Sequence, residues 1–422
     1  MAGFPESAVI VGGSLAGLMH GIYLKRHGVD VVILEQDPSS VRKPHNAGIG
    51  FGPQLEEFLR DYDLSKIRNC TPAAGTRIAW RKRKQVKELK IERNTSSWGL
   101  VYRILRANFD GLPSDPIPDP PKALGSDGRI EYRAGKKVTK LTYEKGLVTV
   151  DYVGVDGTEN SITTGLVIGA DGLNSTVRTL VNAPAIKEYS GYVSWRGVVP
   201  ECEVSPEAVK YFENRNCLNL LKRNYIVAYI IPSDSGSFAP GDRVINFLWY
   251  WPYAEGSQEL KAVLTDINGK THSKTVPAGL VKPEIWSKLL ADHLHTMASP
   301  YAELLSRCKN PFITKVDDAL VTGDRATFHD GRVVLVGDAL ATFRPHIAMS
   351  TENAAGQVLD LGKVWKREMT LREWEGKVLF AGKKLWLVSR AVGIFGVCGW
   401  WPFVKILAAY VSFLVRGRRS KL

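Results

Sequence analysis

A chain of 422 residues is too long for one ordinary hydrophobic core and predicts two or three domains. Its 44% hydrophobic and 9% aromatic content excludes a disordered protein. A formal charge of +13, with a pI near 9.4, points to an anionic partner; no recognisable nucleic-acid-binding module makes that partner nucleic acid.

In chain order, the first signal is residues 9–36, VIVGGSLAGLMHGIYLKRHGVDVVILEQ. An apolar run meets a glycine-rich turn, a helical pattern follows, and a second apolar run ends on Glu35. That order predicts a βαβ dinucleotide-binding unit. Gly12 lets the chain turn, Gly13 continues it, and small Ser14, where the fingerprint has its middle glycine, lets the backbone approach a pyrophosphate at the helix N-terminus. Gly17 lets the helix pack closely on the strands. Glu35, 18 residues after Gly17, is placed to accept from a ribose diol. FAD and NAD fit this unit equally. The strand begins within ten residues of Met1, so no signal or transit peptide is expected.

Residues 80–93, WRKRKQVKELKIER, read as a solvated, strongly basic strand pair, with attraction to a membrane surface as the alternative. Residues 166–178, LVIGADGLNSTVR, run from a strand into Asp171-Gly172 and then a helix near Ser175, with Arg178 on its first turn. Residues 185–320 alternate aromatic and β-branched positions between turn signals and predict a largely antiparallel sheet. Residues 333–345, VVLVGDALATFRP, form another strand ending in Gly337-Asp338; a helix is expected from about residues 347–351. An aspartate at the carboxyl end of a parallel strand suits a sugar or ribityl hydroxyl. From 391 to 415 only Lys405 is charged, and RGRRSK follows. Gly393, Gly396, Gly399 and Pro402 are expected to break this stretch into two pieces, so a packed helical cap is favoured over a span, with an interfacial hairpin as the alternative. Five cysteines show no metal or redox spacing; no metal is expected.

Together the three glycine-containing signals resemble the single-component (class A) FAD-dependent aromatic monooxygenases of the para-hydroxybenzoate hydroxylase superfamily, over most of residues 5–365. Residues 189–201 and 337–346 look nearest to the dihydroxypyridine-monooxygenase-like branch, which many fungal secondary-metabolite oxygenases also resemble. The resemblance implies an α/β fold: a Rossmann-like FAD-binding domain (1–75, 100–184 and 321–370), an inserted, mostly antiparallel β-sheet substrate domain (76–99 and 185–320) and a C-terminal helical segment (371–422). It implies that Asp338 holds the ribityl or pyrophosphate part of FAD. Asp171 and Arg178 would support the pyrophosphate and the nicotinamide donor, and Arg106, with Arg103 as rival, would reach toward FAD. Arg42 and the stretch containing Gly48 would lie beside the isoalloxazine.

The inserted sheet would then roof the flavin crevice. Trp195, Trp249, Tyr250 and Trp251 are candidate lining residues; Arg196, Pro345 and His346 are the candidate catalytic residues. The implied activity consumes NAD(P)H and dioxygen and hydroxylates or epoxidises an electron-rich aromatic or indole-type molecule through a flavin C4a-hydroperoxide. No second complete βαβ unit appears, so the nicotinamide donor visits as a co-substrate. The halogenase segment W-x-W-x-I-P is not matched by WRGVVP at 195–200. An FAD oxidoreductase without oxygen insertion, and a non-catalytic membrane-associated flavoprotein, are the competing classes. A cytoplasmic site, with peripheral membrane contact through the C-terminal segment as an option, completes the expectation.

Overall fold

Strand Ser7–Val11 pairs in parallel with Asp30–Leu34 on one side and Leu166–Gly169 on the other. Ile130–Arg133 and Val333–Leu335 extend this parallel sheet outward, and Thr327–Phe328 closes one edge antiparallel, giving six strands. The molecule is a computed structural model describing residues 3–39 and 47–419. The inner strands are continuous apolar runs because both sheet faces are covered. Helices Leu15–Arg26 and Ser350–Trp365 pack on one another, Gly362 leaving room for the Tyr23 hydroxyl. Lys136–Glu144, Leu147–Gly154 and Glu159–Thr164 form a separate antiparallel meander.

The second layer is a nine-stranded sheet. Its order is Thr275–Val276, Phe312–Val321, Ala185–Pro200, Val244–Pro252, Tyr225–Ile231, Arg215–Leu220, Gly75–Trp80 and Arg83–Leu89, with Ala341–Thr342 also on Phe312–Val321. Every pairing is antiparallel except that between Arg215–Leu220 and Gly75–Trp80. The basic stretch is thus an edge hairpin, and its exposed Arg83–Leu89 strand carries the charges that discourage further pairing.

Alternation divides this sheet into two faces. Val193, Trp195, Phe247 and Trp249 pack under helices Pro206–Phe212, Pro283–His293 and Ser299–Arg307. Tyr192, Tyr225, Tyr229 and Tyr250 bury on the opposite face. Trp195 and Trp249 therefore do not line the crevice: Trp195 lies 5.4 Å from Trp286 inside the helical core. Trp251 shares their face, against His293. Tyr250, one residue out of step, is on the crevice side.

The C-terminal segment forms two helices, Leu371–Val397 and Trp400–Arg419. A capping box between Thr370 and Glu373 starts the first. The break falls at Gly399, φ +97°, and Pro402 is accommodated in the first turn of the second helix. Gly393 and Gly396 do not interrupt the helix. They are its close-approach positions, where a side chain would strike Tyr192 and His346, or Tyr225. Among the described residues no helix is long and apolar enough to cross a membrane.

Candidate active site

The three sequence signals meet at the carboxyl ends of the parallel strands. A Cβ on Gly12 would stand 2.5 Å from the Ala170 carbonyl oxygen and 2.9 Å from Asp171 Cα, and one on Gly337 2.9 Å from Ala16 Cβ. Gly12 holds φ +105°, which a side chain strains. Gly13 abuts the Tyr132 ring, and a Cβ on Gly17 would overlap the Gly12 carbonyl oxygen. Ser14 precedes helix Leu15–Arg26 without capping it, leaving that N-terminus open to an anion. The Glu35 carboxylate accepts from the N–H groups of Gly13 (2.8 Å) and Asp37 (2.9 Å), which fixes it at the mouth of the turn. A crevice of about 200 Å³ opens here, lined by Gly12, Ser14, Glu35, Lys136, Asp171 and Thr176.

Asp171 acts within its own loop: its carboxylate accepts from Ser175 Oγ (2.5 Å) and from the Thr176 and Val177 N–H groups (2.6 and 3.0 Å). Burial raises its carboxyl above the usual range. Arg178 is buried and donates to the carbonyls of Leu173 (2.6 Å) and Ala339 (2.9 Å), stapling the second motif to the third. Asp338 differs from both. No described group donates to its carboxylate, and burial lifts its pKa to about 6 despite the nearby Lys274 cation. Gly337, φ +56°, donates its N–H to Gln357 Oε1 at 2.7 Å.

Arg106 lies under the glycine turn. Its guanidinium stacks 3.7 Å from the Tyr132 ring centre and binds Asp110 (2.8 Å) and the Tyr102 hydroxyl (2.8 Å). Arg103 donates to the Asp234 carbonyl. Arg42 lies outside the described residues. Gly48, opening strand Gly48–Phe51, donates its N–H to Asn246 Oδ1 at 3.2 Å and is pressed by the Tyr229 ring, so this strand touches the roof.

On that roof face several polar atoms are buried without partners among the described residues. They are Ser194 Oγ, Arg196 Nε and Asn246 Nδ2 on the adjacent strands Ala185–Pro200 and Val244–Pro252, with Ser194 and Asn246 each 1% exposed. Arg196 stands over the Phe312 ring at 5.3 Å, and burial lowers its guanidinium pKa, with Tyr229 and Tyr250 beside it. A buried donor without an acceptor costs about 1–3 kcal/mol, so such a cluster reads as a place kept for a ligand. Sequence reasoning found Arg196 and missed Ser194, Asn246 and Tyr229; strand alternation counted from Arg196 is the signal that points to them.

His346 closes the far end. It hydrogen-bonds the Tyr192 hydroxyl (2.6 Å) and the Tyr225 hydroxyl, with the Tyr250 ring centre 4.2 Å away. Burial and neighbouring Arg344 hold its pKa well below the usual value, so the ring is neutral. Arg344 in turn binds Asp318 (2.5 Å), which accepts from Trp386 Nε1 (2.8 Å) of helix Leu371–Val397. Pro345, itself exposed, begins the turn Pro345–Ile347 just before His346. Because Gly393 admits His346 and Tyr192, Gly393→Val is expected to cost about 1–3 kcal/mol by overpacking; the urea midpoint should fall, and an unchanged midpoint would place the helix elsewhere.

A family model described as FAD binding domain-like matches residues 189–318. The 2,6-dihydroxypyridine 3-monooxygenase of Paenarthrobacter nicotinovorans is 28% identical over 89% of this chain and 88% of that protein. The solved 2,6-dihydroxypyridine-3-hydroxylase of Arthrobacter nicotinovorans superposes with a TM-score of 0.78 at 27% identity, covering 95% of each chain. The chain resembles the FAD-dependent aromatic monooxygenases. HpxO of Klebsiella pneumoniae, solved in complex with FAD and uric acid, shares the fold, with a TM-score of 0.67 at 18% identity over 96% of this chain and 92% of that one.

The residues present fit the FAD that the resemblance implies. An uncapped helix N-terminus suits a pyrophosphate, Glu35 is fixed where a ribose diol would be read, and the unpartnered Asp338 carboxylate is an acceptor waiting for hydroxyl donors. A larger cavity of about 920 Å³, rimmed by Arg81, Lys82, Lys222, Trp251 and His293, lies toward the helical face of the sheet and shares no residue with this site.

Proposed function

We propose that this chain is an FAD-dependent monooxygenase that consumes NAD(P)H and dioxygen and hydroxylates or epoxidises an electron-rich aromatic or indole-type small molecule. The observation that carries the reading is the dinucleotide crevice at the Gly12–Gly17 turn, accompanied by buried, unpartnered polar atoms of Ser194, Arg196 and Asn246 on the sheet that Gly48 touches. The chemistry FAD supplies when bound is acceptance of hydride from NAD(P)H and activation of dioxygen.

The remaining work belongs to the protein. Gly12 to Gly17 and Glu35 hold the adenosine and pyrophosphate side, Asp338 the ribityl side, and Arg178 keeps the two loops in register. Arg196, with Ser194 and Asn246 on either side of it along the paired strands, orients polar groups of the substrate, while Tyr229 and Tyr250 offer flat faces to its ring. The tyrosines around His346, backed by helix Leu371–Val397, exclude water. The reading includes a cytoplasmic location, with peripheral membrane contact through the C-terminal segment.

Purified protein should be yellow and should oxidise NADPH faster with an accepted aromatic, in proportion to oxygen consumed and oxygenated product formed. Peroxide with unaltered substrate would favour a non-inserting oxidoreductase instead. Arg196→Met is expected to keep its FAD yet lose about 1.5–3 kcal/mol of substrate recognition, roughly 10- to 150-fold in kcat/KM. Steady-state kinetics check this; an unchanged kcat/KM removes Arg196 from the site.

A further inference from the structure

Helix Trp400–Arg419 has two unlike sides. Phe403 and Phe413 turn inward, packing on Phe395 at 5.3 Å and Phe380 at 4.9 Å. Trp401 (78% exposed), Val404, Leu407, Val411 (52%) and Val415 turn outward at helical spacing and touch nothing that buries them. Val392 and Phe395 on helix Leu371–Val397 are exposed as well, on residues that alternate with the inward Gly393 and Gly396. The charges these two helices themselves carry from Gly376 onward are of one sign, with Lys377 and Arg390 ion-paired to Asp360 and Glu188 of neighbouring elements. From Gly376 to Leu422 the chain has nine lysines and arginines and no aspartate or glutamate, and Arg416, Arg418 and Arg419 end the helix sequence.

We propose that this face docks in the interfacial plane of an anionic lipid bilayer, with Trp401, Val404, Leu407, Val411 and Val415 entering the headgroup–acyl boundary and the cationic residues meeting lipid phosphate. This rests on the peripheral contact in the proposed function and is independent of the flavin chemistry. An exposed apolar stripe on a helix whose own charges are all cationic is the pattern of a helix that lies on a membrane, and among the described residues neither helix is apolar enough to cross one. A second copy of the chain fits the face poorly, because a two-fold contact would set one helix pair that lacks acidic residues from Gly376 onward against another, on a chain of net charge +13. Docking would put the bilayer on the outer side of the helix whose inner side walls the tyrosine–histidine cluster.

Co-sedimentation of the full chain with phosphatidylcholine vesicles, with and without phosphatidylglycerol, tests this. Binding should be about tenfold stronger or more with phosphatidylglycerol and should weaken as salt shortens the screening length from about 10 to about 3 Å. The double substitution Trp401→Ser/Val411→Ser should lower it on the order of tenfold. Failure to sediment with anionic vesicles at low salt overturns the proposal. So does a dimer in sedimentation equilibrium that the same two substitutions dissolve, since a second copy would then own the face. Flavin absorbance and NADPH oxidation on the same samples separate the two readings: yellow, active protein that ignores vesicles sinks only the docking, and colourless protein that binds them sinks only the proposed enzyme.

Discussion

Gly17→Ala is expected to weaken FAD binding on the order of tenfold or more, although it adds a single methyl group. That methyl would overlap the carbonyl oxygen of Gly12 and crowd Ile10 Cγ2 at 3.2 Å. The obstacle is backbone, which has no rotamer to change, so helix Leu15–Arg26 must back away from the turn that would receive the pyrophosphate. Overpacking of this kind costs about 1–3 kcal/mol, and the distortion falls on the binding loop itself. Gly376→Ala is the matched control. Gly376 is exposed in helix Leu371–Val397 with nothing within 4 Å of its Cβ position, so alanine there should be neutral or stabilising by about 0.5–1 kcal/mol. Fluorescence titration of FAD into both variants checks the pair. Wild-type affinity in Gly17→Ala would mean that the turn does not receive the coenzyme.

The part of the fold that the chain states most clearly is the part whose constraints are local. Residues 7–35 run through strand, turn, helix and strand within a length where periodicity and glycine position nearly determine geometry, and the later Asp171-Gly172 and Gly337-Asp338 signals follow strands for the same reason. Side-chain direction on the large sheet was harder to read. Trp195 and Trp249 look like ligand-facing aromatics because strands rich in them can face either way, and one residue of register decides between roof and core. Here the volume of the helical core claimed the tryptophans, and the crevice face received tyrosines, whose hydroxyls can reach His346.

Long-range pairings left no local trace. Nothing near Arg178 announces that its partners are the carbonyls of Leu173 and Ala339, the latter 161 residues away. Gly393 and Gly396 look like helix breakers in sequence, yet tertiary contact with Tyr192, His346 and Tyr225 makes them packing residues. The donor cluster of Ser194, Arg196 and Asn246 was half legible, since alternation names its members only once the facing side is known.

Asp338→Asn is expected to separate stability from function. The native carboxyl titrates near 6, above its ordinary 3.8, because burial disfavours the charge more than Lys274 relieves it. Lys274 also faces Asp317, so its help is shared. With the native pKa raised, the folded apoprotein binds more protons than the unfolded chain between about pH 4 and 6. The stabilising contribution is therefore whole in acid and is lost as pH rises through about 6. Asparagine does not ionise, so the apo variant should melt higher than wild type at pH 8, and the gap should close toward pH 4. Affinity should move the other way. Hydroxyl donors favour the carboxylate over its acid, so wild-type FAD affinity should fall on acidification below about 6. The variant should lose about 1.5–3 kcal/mol of charge-assisted hydrogen bonding at pH 8, roughly 10- to 150-fold in Kd, together with that pH slope. Thermal melts of the apo forms and FAD titrations on both sides of pH 6 measure the two effects. If Asp338→Asn binds FAD as tightly as wild type with the same pH dependence, the unpartnered carboxylate is not the coenzyme's acceptor, and its buried charge would need another purpose.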